Sequence, residues 1–387
     1  MSDKFDNYFA SIYLAMMGDK IGFGNGDRER NYMSKMIEGE SNQNFNGIVE
    51  GITNMLLFRF IAEGGITGLN MENLLVSDDT EMHLGTLNGL ISDYKNRNEL
   101  YNNITNLYLE IFKDIGYMRD KLLAGRQTIE AIKTIKNGID WRNFSYSISA
   151  GGSGGPMRTM CIGLAFHQTT GLLKLIESTI MITSITHPNC IAFIGSIASA
   201  LFTSYALRGV NPETWIFELI NLLQSDVIDG IIGKIKPLYI EYFKEDKKLF
   251  LHKLLTYVET SFSDYNYIIS DLNIRSIYPA RRMIYYYDNF STDKKVINPG
   301  TGADDCIIIA YDCLLMSKDN YEKLIFTSMI NIGDSDTIGS IASAWFGALY
   351  GFKNVSENIK EYSQYNEIKD LVRLLYDKYY DKETDHF

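Results

Sequence analysis

Apolar positions recur at helical spacing along most of this chain. Phe9, Ile12, Tyr13 and Met16 follow the i, i+3, i+4, i+7 pattern of one helix face, and Gly18 reads as the residue that closes that helix. Met157, Met160, Cys161 and Leu164 repeat the pattern, with Pro156 suited to a first turn. Asn211-Pro212 opens a further helix that carries Ile216, Leu219, Ile220 and Leu223. Leu251, Leu254, Leu255 and Val258 mark another. Alternating runs of the half-buried strand type are short and rare, so the pattern predicts a compact all-α domain spanning residues 1–387.

Two predicted helices carry small residues at four-residue steps: Gly339, Ser343, Gly347 and Gly351 in one, Gly195, Ser199 and Thr203 in the other. Such a ridge lets a neighbouring backbone approach closely. So many glycines disfavour an isolated helix, so tight packing must compensate. Residues 190–207 carry no formal charge and could be mistaken for a membrane span. The small and hydroxyl residues within them favour a buried core helix instead. Residues 31–70 are less regular and begin with the polar run Glu38-Gly39-Glu40-Ser41-Asn42-Gln43-Asn44. They read as a surface excursion, an extended flap, with one helix near residues 52–62. The charged tail, residues 376–387, reads as frayed. No internal repeat of fixed period is present.

The net charge of −11 argues against a nucleic-acid surface, which needs a basic footprint. Cys161, Cys190, Cys306 and Cys313 show no CxxC spacing, which fits reduced thiols in a cytoplasmic protein better than a disulfide framework. The N-terminus lacks the basic and apolar regions of a signal peptide.

The candidate chemistry lies in two acidic strings far apart in the chain. One is Ser77-Asp78-Asp79-Thr80; the other is Gly333-Asp334-Ser335-Asp336-Thr337. Taken singly, each is also what a helix N-cap looks like. A cap needs one acceptor, however, and each string holds a surplus carboxylate that repels its neighbour unless a cation lies between them. Oxygen donors without His or Cys suit Mg²⁺ rather than zinc. A Gly-rich run, Ser149-Ala150-Gly151-Gly152-Ser153-Gly154-Gly155-Pro156, feeds the helix expected near Met157. It reads either as a hinge or as an anion cradle, with backbone N–H groups and a helix N-terminus facing a phosphate. It is not a Walker loop, and Gly22-Phe23-Gly24-Asn25-Gly26 does not complete a dinucleotide fingerprint. Of the five histidines, His187 sits in a turn before the uncharged helix, where a structural role outweighs a catalytic one.

These residues together resemble the ADP-ribosylhydrolase (ADP-ribosylglycohydrolase) family. The matching segments, in family order, are Gly18-Asp19-Lys20-Ile21-Gly22, residues 77–80, residues 151–158, Thr186-His187 and residues 333–337. The arginine-specific branch is the nearest in appearance, through residues 157–164 and 198–203. The resemblance implies an orthogonal helical bundle with two Mg²⁺ ions. Ser77, Asp78, Asp79, Asp334, Asp336 and Thr337 match the metal positions. Glu29 falls where relatives carry a flap glutamate near the metals. Glu29, Asp78 and Asp79 are then the catalytic candidates, with Asp79 or Glu29 positioning or deprotonating the water. Ser149, Ala150, Gly151, Gly152, Ser153 and Gly154 match the segment that holds the ADP-ribose phosphates. Tyr146 is placed to stack on adenine, and His187 and Asp305 match further cleft positions.

The implied activity is hydrolysis of the N-glycosidic bond between ADP-ribose and a protein side chain, arginine first. Alternatives are ADP-ribosylserine, O-acetyl-ADP-ribose, or a non-catalytic ADP-ribose-binding or structural role. The expected partner is an ADP-ribosylated protein or an ADP-ribose-containing small molecule, met by a monomer that uses no nucleic acid or membrane. Three departures stand out. Lys20 replaces a usual Ala, Pro156 replaces a small residue, and the stretch between Glu29 and Ser77 is long. A cation at Lys20 would weaken metal binding unless it pointed to solvent.

Overall fold

The computed structural model describes residues 4–28, 45–264, 266–267, 279–291 and 298–380. Its frame is built from α1 (Lys4–Phe23), α2 (Phe45–Ala62), α3 (Asp78–Ile91), α4 (Cys190–Arg208), α5 (Ile240–Ser261), α6 (Asp305–Ser317), α7 (Ser335–Tyr350) and α8 (Tyr365–Tyr379). Among the described residues, strand is confined to a hairpin of Phe262–Ser263 with Asn266–Tyr267 and a single bridge between Gly152 and Gly302. The fold is all-α, as the periodicity predicts.

The tightest contact is between α1 and α7. A Cβ on Gly18 would lie 2.3 Å from the Gly339 carbonyl oxygen, and one on Gly22 would lie 2.2 Å from that of Ser335. One on Gly347 would lie 2.3 Å from the Ala10 carbonyl oxygen. Three glycines along the seam thus let two backbones touch where any side chain would hold them apart. The Ser11 hydroxyl donates to the Ala344 carbonyl, and the Ser335 hydroxyl to that of Gly22. This overturns the reading of Gly18 as a helix end. The helix runs on to Phe23, because Gly18 is there for close approach and not for a turn.

The uncharged helix α4 runs through the interior, with Phe193, Ile194, Ile197 and Ala198 fully buried. Asn189 caps its start by accepting from the Ile191 and Ala192 N–H groups, and Gly209 ends it at φ 72°. It is the one helix among the described residues long and apolar enough to cross a membrane, and it is wrapped on all sides by the bundle. Its small residues work as expected. Gly195 abuts the Ala303 carbonyl, and Ser199 bonds the Pro156 carbonyl.

Two boundaries differ from expectation. The helix inside the 31–70 excursion begins at Phe45, not near Ile52, and buries Val49, Ile52, Leu56 and Phe60. It packs on the helix Pro279–Asn289. Residues 29–44 lie outside the described residues. The tail is ordered further than its charge suggests. Tyr376 packs edge-on against Phe5 and Tyr8, and Tyr379 is buried with its hydroxyl donating to the Leu90 carbonyl. Aromatic anchoring outweighs the charge through residue 380; residues 381–387 lie outside the described residues.

Gly18→Ala is expected to lower the unfolding free energy by about 1–3 kcal/mol, because the backbone oxygen it meets cannot move aside. Gly230→Ala is the internal control. Gly230 sits exposed in the helix Val227–Ile235 with nothing within 4 Å of an added Cβ. It should gain about 0.5–1 kcal/mol. Denaturant titration of both variants checks the pair.

Candidate active site

The seam between α1 and α7 carries Asp19 into the interior one residue past Gly18. Asp19 is fully buried, and its carboxylate accepts from the Ser77 N–H (3.0 and 3.2 Å), the Thr80 N–H (3.2 Å) and the Thr80 hydroxyl. That grip fixes the turn from which α3 begins. Ser77 caps α3 by accepting from the Asp79 N–H at 3.0 Å, which is the plain capping role. Asp78 and Asp79 follow, both buried within the first turn of α3.

The second string arrives at the same place. Asp334 and Asp336, at the start of α7, are buried, and each feels the other's carboxyl. Burial raises both above the usual carboxylate range. Asp79 is likewise pushed far up, first by burial and then by the charges of Asp336, Asp19, Asp78 and Asp334. Asp19 is pushed up to about 7 by burial and by Asp336. The two strings, distant in sequence, therefore share one electrostatic neighbourhood. Two oxygens in it, Asp79 Oδ2 and Asp336 Oδ1, are buried without a hydrogen-bond partner. Among the described residues, no three acidic, imidazole or thiol side chains already close into a cage.

The Gly-rich run is braced and is not a free hinge. The Ser153 N–H donates to the Thr301 carbonyl and the Ala303 N–H to that of Gly151, both at 2.9 Å, around the Gly152–Gly302 bridge. The Ser153 hydroxyl donates to Asp334 Oδ2 at 3.0 Å, which ties the loop to the acidic centre. The helix expected to begin near Met157 differs. One 3₁₀ turn, Pro156–Arg158, precedes a short helix, Met160–Ala165, so any cradle here rests on loop N–H groups more than on a helix dipole. Ser149 is exposed and Ala150 is buried beneath the loop.

Asp305, pushed up to about 7 by burial and by Asp304, accepts from the Gly302 N–H at 2.8 Å. It stabilises the turn that holds the Gly-rich loop. The Tyr146 ring is stacked on Tyr242 at 4.0 Å, and its hydroxyl donates to Asp246 at 2.9 Å, so one ring face is already covered. His187 is buried beside the loop and pushed down to about 3 by burial and by Arg158. All four cysteines are buried, with thiols pushed up by burial, which suits none of them to nucleophilic work.

Of the residues picked from sequence, the structure brings together Ser77, Asp78, Asp79, Asp334, Asp336 and Thr337, with Ser153 joined to them. Gly151, Gly152, Gly154, His187 and Asp305 line the adjoining loop. Glu29 lies outside the described residues. The structure decides the condition attached to Lys20. That side chain does not point to solvent but lies buried with Nζ 3.8 Å above the Tyr362 ring, and burial lowers it to about 8. The sequence reading missed Asp19. Ending the helix at Gly18 placed Asp19 in a turn, where a carboxylate needs no explanation. Inside a close-packed helix it must have buried partners.

Comparison with known proteins agrees with this geometry. The sequence profile of the family described as ADP-ribosylglycohydrolase matches residues 1–385. A protein of Acanthamoeba polyphaga mimivirus, assigned by name to the ADP-ribosyl glycohydrolases, is 32% identical over 368 residues, covering 93% of this chain and 68% of its own. ADP-ribosylhydrolase ARH1 of Dictyostelium discoideum is 31% identical over 321 residues, covering 78% of this chain and 80% of its own. A solved structure titled as an ADP-ribosylglycohydrolase-related protein complex shares the fold. Its TM-score is 0.54 at 15% identity, covering 98% of this chain and 99% of that one. By profile and by its relatives, this chain belongs to the ADP-ribosylglycohydrolase family.

Proposed function

We propose that this protein is a Mg²⁺-dependent hydrolase of the N-glycosidic bond between ADP-ribose and a modified side chain, with arginine as the acceptor. The family carries the coarser statement, hydrolysis of an ADP-ribose linkage. The finer one rests on a single observation. Two buried carboxylate oxygens, Asp79 Oδ2 and Asp336 Oδ1, have no partner in a neighbourhood of five aspartates. Buried acceptors left unpaired are costly, and a divalent cation is the group that would satisfy them. The donors are carboxylate and hydroxyl oxygens, which suit Mg²⁺. Ser77, Asp78, Asp79, Asp334, Asp336 and Thr337 would hold it. Bound there, the metal would supply a hard Lewis acid for the hydroxyls of the distal ribose.

The protein's own groups carry the rest. Asp19 fixes the loop that presents Asp78 and Asp79. The Gly-rich loop, held by residues 301–303, offers N–H groups to the diphosphate. Ser153 joins the two halves, so that the phosphates and the distal ribose are placed together. A carboxylate of the centre, Asp79 foremost, orients or deprotonates the attacking water and faces the positive charge that develops on the ribose. The arginine acceptor rests on the resemblance of residues 157–164 and 198–203 to the arginine-specific branch.

Purified protein with Mg²⁺ should release ADP-ribose from ADP-ribosylarginine, with ADP-ribosylserine and O-acetyl-ADP-ribose as competing substrates in the same panel. Asp78→Asn and Asp334→Asn should each bring the rate to background; full activity in excess chelator would overturn the mechanism. Asp19→Asn, at a residue not among those that would hold the metal, should lower kcat/KM by about 10–100-fold at saturating Mg²⁺ through a misplaced 77–80 turn.

Stability should also depend on pH. Asp19 and Asp305 are raised to about 7, whereas an unfolded Asp titrates near 3.9. Between those values the folded chain holds protons the unfolded chain has lost, so stability falls as pH rises through about 7. Without added Mg²⁺ the thermal midpoint should drop between about pH 5 and about pH 8, and Mg²⁺ should raise it most at the upper end. Thermal scans at both pH values decide this, and no Mg²⁺ effect at the higher pH would count against the metal.

A further inference from the structure

Behind the Gly-rich loop lies a buried chain of three side chains that none of the proposed chemistry uses. Arg158, fully buried, donates from Nη2 to the Thr186 hydroxyl oxygen at 2.7 Å. The same hydroxyl lies 2.8 Å from Nδ1 of His187. Thr186 is itself fully buried. We infer that Thr186, held by Arg158, is a positioning residue that fixes His187 as the Nε2–H tautomer and so presents a neutral N–H to the Gly-rich loop.

The argument is proton accounting. A guanidinium can only donate, so the Thr186 oxygen accepts from Arg158. The one proton of that hydroxyl must then go elsewhere. Among the described residues this hydroxyl has no hydrogen-bond partner besides Arg158 and His187 Nδ1. His187 Nδ1 is the acceptor that remains. A neutral imidazole that accepts at Nδ1 carries its proton on Nε2. Burial beside Arg158 keeps a second proton off the ring.

The free edge of that ring faces the loop. A Cβ on Gly154 would lie 2.5 Å from His187 Cε1 and 2.8 Å from Nε2, and one on Gly152 would lie 3.9 Å from Nε2. Among the described residues no protein group accepts from Nε2. The donor is nine-tenths buried, unpartnered and set against the segment proposed to hold the diphosphate. The opposite tautomer would turn a lone pair toward that anion instead of a donor. The assignment of this donor to a diphosphate oxygen rests on the function proposed above; the tautomer itself does not.

Protein labelled with ¹⁵N-histidine tests both. A long-range ¹H–¹⁵N correlation, with His187→Gln used to assign the signal, should show a bare Nδ1 and a protonated Nε2 in the wild type. Thr186→Ser should keep that pattern. Thr186→Val should admit the Nδ1–H form and raise KM for the ADP-ribosylated substrate about three- to tenfold, with kcat little changed. A protonated Nδ1 in the wild type would overturn the inference. So would a Val variant with wild-type tautomer and KM. Should the Val variant fail to fold, the wild-type and Ser spectra still decide the tautomer. Should no ADP-ribosylated substrate be hydrolysed at all, the proposed function fails while the spectra, which need no substrate, stand on their own.

Discussion

Everything at the candidate site depends on how closely α1 and α7 cross. With glycine at 18, 22, 339 and 347 the two backbones touch, and one helix delivers Asp19 while the other begins with Asp334 and Asp336. A wider crossing would move Asp19 away from the turn at 77–80, and that turn away from the start of α7. The small residues thus do not merely fill the core. They set the distance between two groups of acids that the chain supplies from opposite ends.

What they bring together is electrostatically unfavourable. Five aspartates lie within reach of one another in a buried region, and burial and mutual repulsion raise the pKa of each one whose shift is resolved. Two buried cations feel this neighbourhood, Lys20 through Asp19 and Arg158 through Asp78, yet each has another partner. Lys20 rests on Tyr362, and Arg158 is turned toward Thr186, although Asp78 is near enough to influence it. Natural proteins retain such strain where function needs it and compensate elsewhere. Here the compensation is visible in the buried packing around α4 and in the backbone N–H groups that hold Asp19.

The Gly-rich loop shows the same economy of parts. Glycines leave room for a ligand, yet a loop of glycines alone would wander. Two backbone hydrogen bonds to residues 301 and 303, the Ser153 bond to Asp334 and the ring of His187 behind it give the loop one shape. Asp305 and the Lys253–Asp304 ion pair steady the partner turn in its place. Gly-rich loop and acidic centre become one unit, as the proposed placing of a diphosphate and a ribose on a single substrate would demand.

Helical period, the surplus acids in two short strings and the Gly-rich run were all written in the order of residues, because each is a local pattern. They determined the all-α class and the family, and they named the acids that the fold brings into one neighbourhood. Four things were decided only in three dimensions. Gly18 ends nothing, since whether a glycine breaks a helix or admits a neighbour depends on what packs against it. Asp19 is a site residue because it is buried, and burial is not local. The direction of Lys20 and the tautomer of His187 follow from partners remote in sequence, Tyr362 for the one and Arg158 for the other. A chain can announce which groups it carries. Which of them meet, and which are left without a partner, is settled by the packing of distant helices.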